Sequence, residues 1–440
     1  MNMKPREIMR AAWRNSFAHR RPRSNSKNHA LRRIGAADEA LEVLSRVNER
    51  EFPEVILQKA NCHSSLWRYR EAVPLLRSFL MRVAPHLYSS KVAKINLLAA
   101  LIFLGDSEGV ERLIADLHQH LSPTETPLLY GNYLELNSSW KIQCRLFYEA
   151  LTLLDEAHRL LAKAEGTWDA LLVEKGIAIA QSARAGKVLP GLHEIKGRAI
   201  ANGQWEVNRD CDFHIALIER DLPLFEKLYF GTPYQSYRQR IQKIMTTIGL
   251  DTEFTSRTQF QWPPNANQKN ILDLKDGALN GKPLDLKLGQ AHHKLLLVLA
   301  SDFYKPFPIA NIFSQLHPGE YYDPIHSPNR VHQAIARFRR WCATESLPLA
   351  IEEHRGSYQL QVTSASFSLL LLQSTPDLEA EAIQLERVAK VFQTTFTTQE
   401  ISEFLHNSPA SSRRLVRWGV LSGKIEAIGK GKRRKYRFVA

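Results

Sequence analysis

Between residues 34 and 248, apolar side chains recur every three or four positions and almost nowhere alternate with polar ones, so the stretch is committed to helices. Such a helix buries one stripe and exposes the rest, and successive helices of about 10 to 20 residues must therefore cover one another. Turn signals fall at Trp67-Arg68-Tyr69, Leu104-Gly105-Asp106, Asn137-Ser138-Ser139, Ala185-Gly186-Lys187 and Arg220-Asp221. Their separation, roughly 35 to 45 residues, is the period of paired-helix repeats and predicts a stacked α-helical solenoid.

Beyond residue 248 the pattern breaks. Residues 249–269 lose periodicity and gather Pro263, Pro264 and several Asn, as a linker does. Strand-like runs then cover Ile271–Leu274 and Pro283–Leu288, joined through the turn pair Asn280-Gly281. Helices are predicted over 290–303, 308–316 and 328–344, the last capped by Ser327 with Pro328 in its first turn. Strands follow at Leu349–Glu352 and Tyr358–Val362, around Arg355-Gly356. Residues 363–383 read as a second linker, although the apolar run Phe367–Leu372 implies that part of it packs. In the last segment, 384–440, Thr397 and Glu400 form a capping-box pattern, His406-Asn407-Ser408 makes a turn, and a helix starts at Ser408-Pro409. A glycine-rich basic hairpin closes the chain. The expected organisation is a basic tail (1–33), a helical repeat domain (34–248), a linker (249–269), an α+β module (270–362), a linker (363–383) and a second α+β module (384–440).

Composition supports several soluble domains: 440 residues are 44% hydrophobic and 24% charged. The net charge of +14 is segregated. Residues 1–33 carry ten Lys/Arg against Glu7, and residues 407–440 carry ten against Glu426, which leaves the middle slightly acidic. Basic ends imply polyanion contacts. The cysteines Cys62, Cys144, Cys211 and Cys342 form no C-x-x-C pair, which fits a reducing cytoplasm and neither zinc nor a disulfide framework. The longest apolar run, Ile95–Leu104, contains Asn96 and is half the ~20 residues that span a bilayer. No phosphate-binding G-x-x-x-x-G-K-[ST] occurs, and neither His118/His120 nor His292-His293 has a second cluster at ligand spacing. An enzyme is not expected, and neither is a cofactor.

Two resemblances sharpen this reading. Residues Cys62–Leu80 resemble a tetratricopeptide repeat: Tyr69-Arg70-Glu71-Ala72 opens a second helix, Ala72 is the small residue where two helices meet, and Leu76 and Leu80 continue the buried face. Glu149-Ala150 repeats the pattern. Residues 270–362 resemble an OmpR/PhoB-type winged-helix effector domain, through Gly281-Lys282-Pro283-Leu284, the loop Gly319–Asn329, and a helix carrying Val331, Ile335 and Phe338 with Arg337, Arg339 and Arg340. They depart from it at His332, Gln333 and Ser357. The last module is similar to a generic bacterial winged helix. The expected fold is thus multidomain and mainly α, a tetratricopeptide-like solenoid followed by two α+β winged-helix domains.

The resemblance implies a bacterial transcription regulator that binds double-stranded DNA. Arg330, Gln333, Arg337 and Arg340 are then the groove residues and Arg355 the wing residue, while Tyr321 and Tyr322 are candidates for contact with RNA polymerase. In the last module Arg413, Arg414, Arg417, Lys430, Lys432, Arg433 and Arg434 are the phosphate-facing candidates. The helical repeats are expected to take a protein, peptide or small-molecule signal on their concave face. Two alternatives stay open: a protein-interaction scaffold whose winged helices bind proteins, and an RNA-binding protein.

Overall fold

The computed structural model describes residues 31–32, 34–161, 167–250, 259–264, 270–284, 286, 289–317, 320–372, 384–385, 388–389, 391–392, 394–405, 409–421, 423–429 and 434–439. All but Leu31 and Arg32 of the basic tail lie outside them, as do the turn His406–Ser408 and Lys430, Lys432 and Arg433. The chain is mainly helical with small sheets and divides into two compact units, one running to Phe254 and taking in Phe303–Lys305, the other holding the rest.

The first unit is a succession of helices: α1 (Ala37–Ser45), α2 (Glu54–Ser65), α3 (Tyr69–Arg82), α4 (Tyr88–Leu104), α5 (Ser107–His120), α6 (Pro127–Gln143), α7 (Phe147–Leu161), α8 (Thr167–Ala185), α9 (Pro190–Ala201), α10 (Trp205–Glu219), α11 (Leu222–Phe230) and α12 (Gln235–Thr247). From α1 to α5, and again from α6 to α12, each helix packs chiefly on its chain neighbour; α4, α6, α8 and α10 also pack successively on one another. Local chemistry repeats as well. Trp67, Gly105, Arg145 and Arg220 all take left-handed backbone, each two residues before a helix start. The fourth residue of these four helices is fully buried, as Ala72, Val110, Ala150 and Phe225, whereas after Gly203, likewise left-handed two residues before α10, the fourth residue is the half-buried Asn208. Asp106 and Asp221 cap α5 and α11 by accepting from the backbone N–H of Gly109 and Leu224, both at 3.0 Å.

Glycines mark the closest approaches. A Cβ on Gly131 of α6 would come within 2.7 Å of Leu161, and one on Gly176 of α8 within 2.7 Å of Leu154. One expected turn is corrected: Asn137-Ser138-Ser139 lies inside α6, and the turn comes at Cys144–Leu146. Ser138 Oγ donates to the Glu135 carbonyl at 2.6 Å, so a residue that favours turns is satisfied within its own helix.

Among its described residues the second unit contains three sheets. The strands β1 (Gln259–Trp262), β2 (Asn270–Asp273), β3 (Ala278–Leu279) and β4 (Lys282–Pro283) join β8 (Phe367–Leu372) in the order β1-β8-β2-β3-β4; β2 runs parallel to β8 and the other pairs are antiparallel. Both expected linkers therefore supply strands: β1 comes from 249–269, and β8 from 363–383 enters the sheet between β1 and β2. The apolar run of β8 has a reason, since Phe367, Ser368, Leu369 and Leu371 are buried. Of the strand expected over Pro283–Leu288, Pro283 lies in β4, which turns back at Asn280-Gly281, both with positive φ, and residues 285, 287 and 288 lie outside the described residues.

After this sheet come α13 (Ala291–Leu299), β5 (Phe307–Pro308), α14 (Ile309–Leu316), α15 (Ser327–Thr344), β6 (Leu349–His354) and β7 (Ser357–Val362), with β5-β7-β6 as a small antiparallel sheet. Helical residues at 384–385, 388–389 and 391 then precede β9 (Thr395–Phe396), α16 (Thr398–Phe404), α17 (Pro409–Leu421), β10 (Ile425–Ile428) and β11 (Lys435–Phe438). Their sheet order is β9-β11-β10. Helix, strand, two helices and a hairpin thus occur twice in succession, and in each case the short strand pairs with the second strand of the hairpin.

Candidate nucleic-acid interface

The face of α15 follows from its sequence. Val331, Ala334, Ile335, Phe338, Trp341 and Cys342 are buried, on the stripe that a 3.6-residue period assigns to the core. Asn329, Gln333, Arg337, Arg340 and Thr344 form the opposite, exposed stripe. Four arginines and no acidic residue lie on this helix. Arg339 is a tether, its Nη2 donating to the Ile351 carbonyl at 2.7 Å and fixing α15 to β6. Arg337 and Arg340 are exposed and their guanidinium groups have no hydrogen-bond or ion-pair partner among the described residues.

Arg330 is placed differently from the other groove candidates. Its Nη1 donates to Glu320 Oε2 at 2.6 Å, its Nη2 lies 2.9 Å from His317 Nδ1, and its guanidinium sits 5.2 Å from the centre of the Phe313 ring. The charge is spent in fastening the α14–α15 loop, so Arg330 acts there as a strut. Ser327 does not cap α15: it occupies the first turn, with His326 in the cap position, and its Oγ accepts from the Asp323 backbone N–H at 2.9 Å. In the same loop Tyr321 is 46% exposed, whereas Tyr322 is 2% exposed with its ring edge against Phe313, which takes it off the surface.

The β6–β7 turn puts Arg355 at the tip, exposed and in left-handed backbone with Gly356 beside it. Glu352, Glu353 and His354 are exposed on the adjoining strand, and His354 Nε2 is 3.4 Å from Glu352 Oε2. This hairpin is therefore close to balanced in charge, a feature the sequence already carried in Glu352-Glu353.

Behind α15 the module is locked by His293, which is fully buried. The Gly289 backbone N–H donates to its Nδ1 at 2.9 Å, so Nε2 carries the hydrogen and donates to the Leu274 carbonyl at 2.8 Å. Burial pushes its pKa below the usual histidine value, and the neutral ring joins the five-stranded sheet to α13. Sequence reading had this residue only as half of a His pair. Cys342 is buried and its thiol is pushed up to about 12 by desolvation, which leaves it inert.

In the second module Thr397 accepts from the Glu400 N–H at 3.2 Å and Glu400 accepts from the Thr397 N–H at 2.6 Å, completing the expected capping box on α16. Leu385, Val388, Phe396, Ile401, Leu415, Val416 and Ile425 form the core beneath α17. Arg413 and Arg417, one turn apart on α17, are exposed. Arg434 is exposed just before β11, while Arg437 is paired with Glu426 across the hairpin. Lys424 was not singled out by sequence; its Nζ lies 5.1 Å over the Trp418 ring. Arg414 lies within α17; Lys430, Lys432 and Arg433 are among the residues outside the description.

Within the first unit an aromatic cluster ties α12 to the α2–α3 turn. Trp67 stacks on Tyr234 with ring centres 5.6 Å apart and meets Tyr237 edge-on at 5.0 Å. Ser236 Oγ donates to the Trp67 carbonyl, which brings the start of α12 onto the α2–α3 turn. Arg209, 1% exposed, lies within 6.0 Å of the ring centres of Trp67, Tyr234 and Tyr237. Nearby on α10, Asp210 pairs with Lys175 at 2.6 Å; burial alone would raise its carboxyl, but Lys175 and His214 hold it down at about 2. His214 is driven down to about 4 by burial.

Among the described residues no helix is long and apolar enough to cross a membrane, and no group of three His, Cys, Asp or Glu side chains could hold a metal ion. The chain matches no protein-family model and no curated protein.

Proposed function

We propose that this chain is a DNA-binding transcription regulator, with two winged-helix modules that bind duplex DNA and a tetratricopeptide-like helical domain that receives the input. One observation carries the reading: the same helix, strand, helix, helix, hairpin order, with the same strand pairing, occurs twice, and the third helix of each copy exposes arginines. In the first copy these are Arg337 and Arg340, beside Gln333, on the stripe a major groove would accept; bidentate arginine contacts to guanine are the commonest specific ones. In the second they are Arg413 and Arg417, backed by Arg434. The OmpR/PhoB-like character of the first module rests on its sequence motifs and on the sheet that precedes α13. The repeated left-handed turns and buried fourth positions support the paired-helix repeat reading of the first unit.

Capture of sheared genomic DNA by the full chain at low salt tests the proposal: enrichment of discrete fragments supports it, and recovery of none refutes it. Tyr321 and the 74% exposed Ile325 are the surface of the α14–α15 loop that would meet polymerase. A protein-binding scaffold is the second reading. Glu352 and Glu353 on the first hairpin favour it, because carboxylates beside Arg355 would be repelled by phosphate. It predicts a protein partner whose affinity hardly changes with salt.

A further inference from the structure

The two repeated modules are joined by more than covalent linkage. Gln384, 6% exposed, is helical and adjoins Leu385; Leu385 and Val388 are 2% and 0% exposed in the core of the second module. The same Gln384 side chain lies over Gly289, in the turn that leads into α13 of the first module: a Cβ built on Gly289 would meet Gln384 Nε2 at 1.9 Å, Cδ at 2.5 Å and Cγ at 2.9 Å. Gly289 has a φ of +73°, which alone favours glycine there, and the absence of a side chain is what lets the amide occupy the space a Cβ would fill. Its N–H is meanwhile held by His293. The seat is therefore rigid on one side, and the residue resting on it is one position from the core on the other.

We propose that the Gln384–Gly289 contact docks the modules as a single bivalent reader, so that the DNA target is a bipartite site with one fixed spacing. This rests on the DNA-binding reading above. Two modules with independent flexible tethering would tolerate a range of separations between half-sites. Two modules docked through a buried amide would not. Their charges divide the work in the same sense: α15 presents a few arginines on a nearly neutral module, whereas the segment 407–440 carries ten Lys/Arg against Glu426.

The test is selection of duplexes from a random-sequence library by the full chain, followed by affinity measurements on the selected site with base pairs inserted between its halves. The expected result is two half-motifs at one separation, and a loss of about 10- to 100-fold when about five base pairs, half a helical turn, are inserted. Gln384→Ala, which removes the docking amide and leaves Leu385 and Val388 in place, should reduce that penalty several-fold while the affinity for the better half-site alone is kept. A single continuous motif, or an affinity indifferent to the insertion, overturns the bipartite inference and leaves DNA binding standing. Enrichment of no duplex at all overturns the DNA-binding reading itself, and the inference with it.

Discussion

His293→Leu removes two hydrogen bonds from the interior of the first α+β module while nearly conserving volume. The Leu274 carbonyl, on a residue 2% exposed, is left without its partner and bears most of the cost of an unsatisfied buried group, about 1–3 kcal/mol. The Gly289 N–H is only partly buried, so water can replace part of its bond and the added loss is under about 1 kcal/mol. A net destabilisation of about 2 kcal/mol follows near pH 7.5. The pH dependence has a definite sign. Burial lowers the folded pKa of His293 below 6.5, so the unfolded chain binds the extra proton, and the stabilisation is complete above pH 6.5 and declines as pH falls below it. Leucine has no such dependence, and the gap between the two proteins should narrow below pH 6.5. Because a chain of several domains does not unfold in two states, the readout is local amide exchange over residues 270–275 and 289–299. At pH 7.5 the variant should exchange about 30-fold faster there, the equivalent of 2 kcal/mol. Equal exchange rates at pH 7.5, or a ratio that does not change between pH 7 and 5, would refute the reasoning.

Other outcomes follow from the same contacts. Replacing Trp67 by Ala removes the ring stacked on Tyr234 and one of the two rings against Tyr237, which keeps Phe103, and for a half-buried side chain should cost about 2–3 kcal/mol, seen as faster exchange in α12 with no change in the second unit. Acidification should loosen the first unit around α10: His214 begins to lose stabilisation below its ordinary 6.5 and continues toward about 4, and Asp210 loses its own from 3.8 down toward about 2, so both act in one direction and the protection of α10 amides, relative to the intrinsic exchange rate at each pH, should fall steadily below pH 6. Glu320→Gln should release Arg330 from its strut and raise mobility in residues 320–326, with less effect on DNA affinity than Arg337→Ala; the reverse ranking would contradict the division between strut and reader.

Much of this architecture is legible in local sequence because local physics decides it. The helical stripes follow from period, the α16 start from Thr397 and Glu400, and the tight turn from Asn280-Gly281. What escaped depends on partners distant in sequence. Strand β8 pairs in parallel with β2, and no periodicity within either segment announces a neighbour so far along the chain. Arg330 looks like its neighbours until Glu320 and His317 fold onto it. Ser327 has a capping residue's chemistry, yet its hydroxyl is taken by Asp323 one turn earlier. Tyr322 differs from Tyr321 only in the direction it faces, which the packing of Phe313 decides. Asn137 and Ser138 read as a turn because their side chains compete with backbone hydrogen bonds, but inside α6 Ser138 bonds its own helix.

The most direct test of DNA binding is the salt dependence of the full chain's affinity for duplex DNA, measured alongside Arg337→Ala/Arg340→Ala and Arg413→Ala/Arg417→Ala double variants. Affinity should fall linearly on a log–log plot with a slope of about −0.9 for each phosphate neutralised. Loss of Arg413 and Arg417 should make the slope shallower by about 1 to 2 and weaken all sequences alike, and loss of Arg337 and Arg340 should erase the preference for the selected site. Binding that is absent at low salt, or that shows no salt slope and is indifferent to all four arginines, would contradict the proposal.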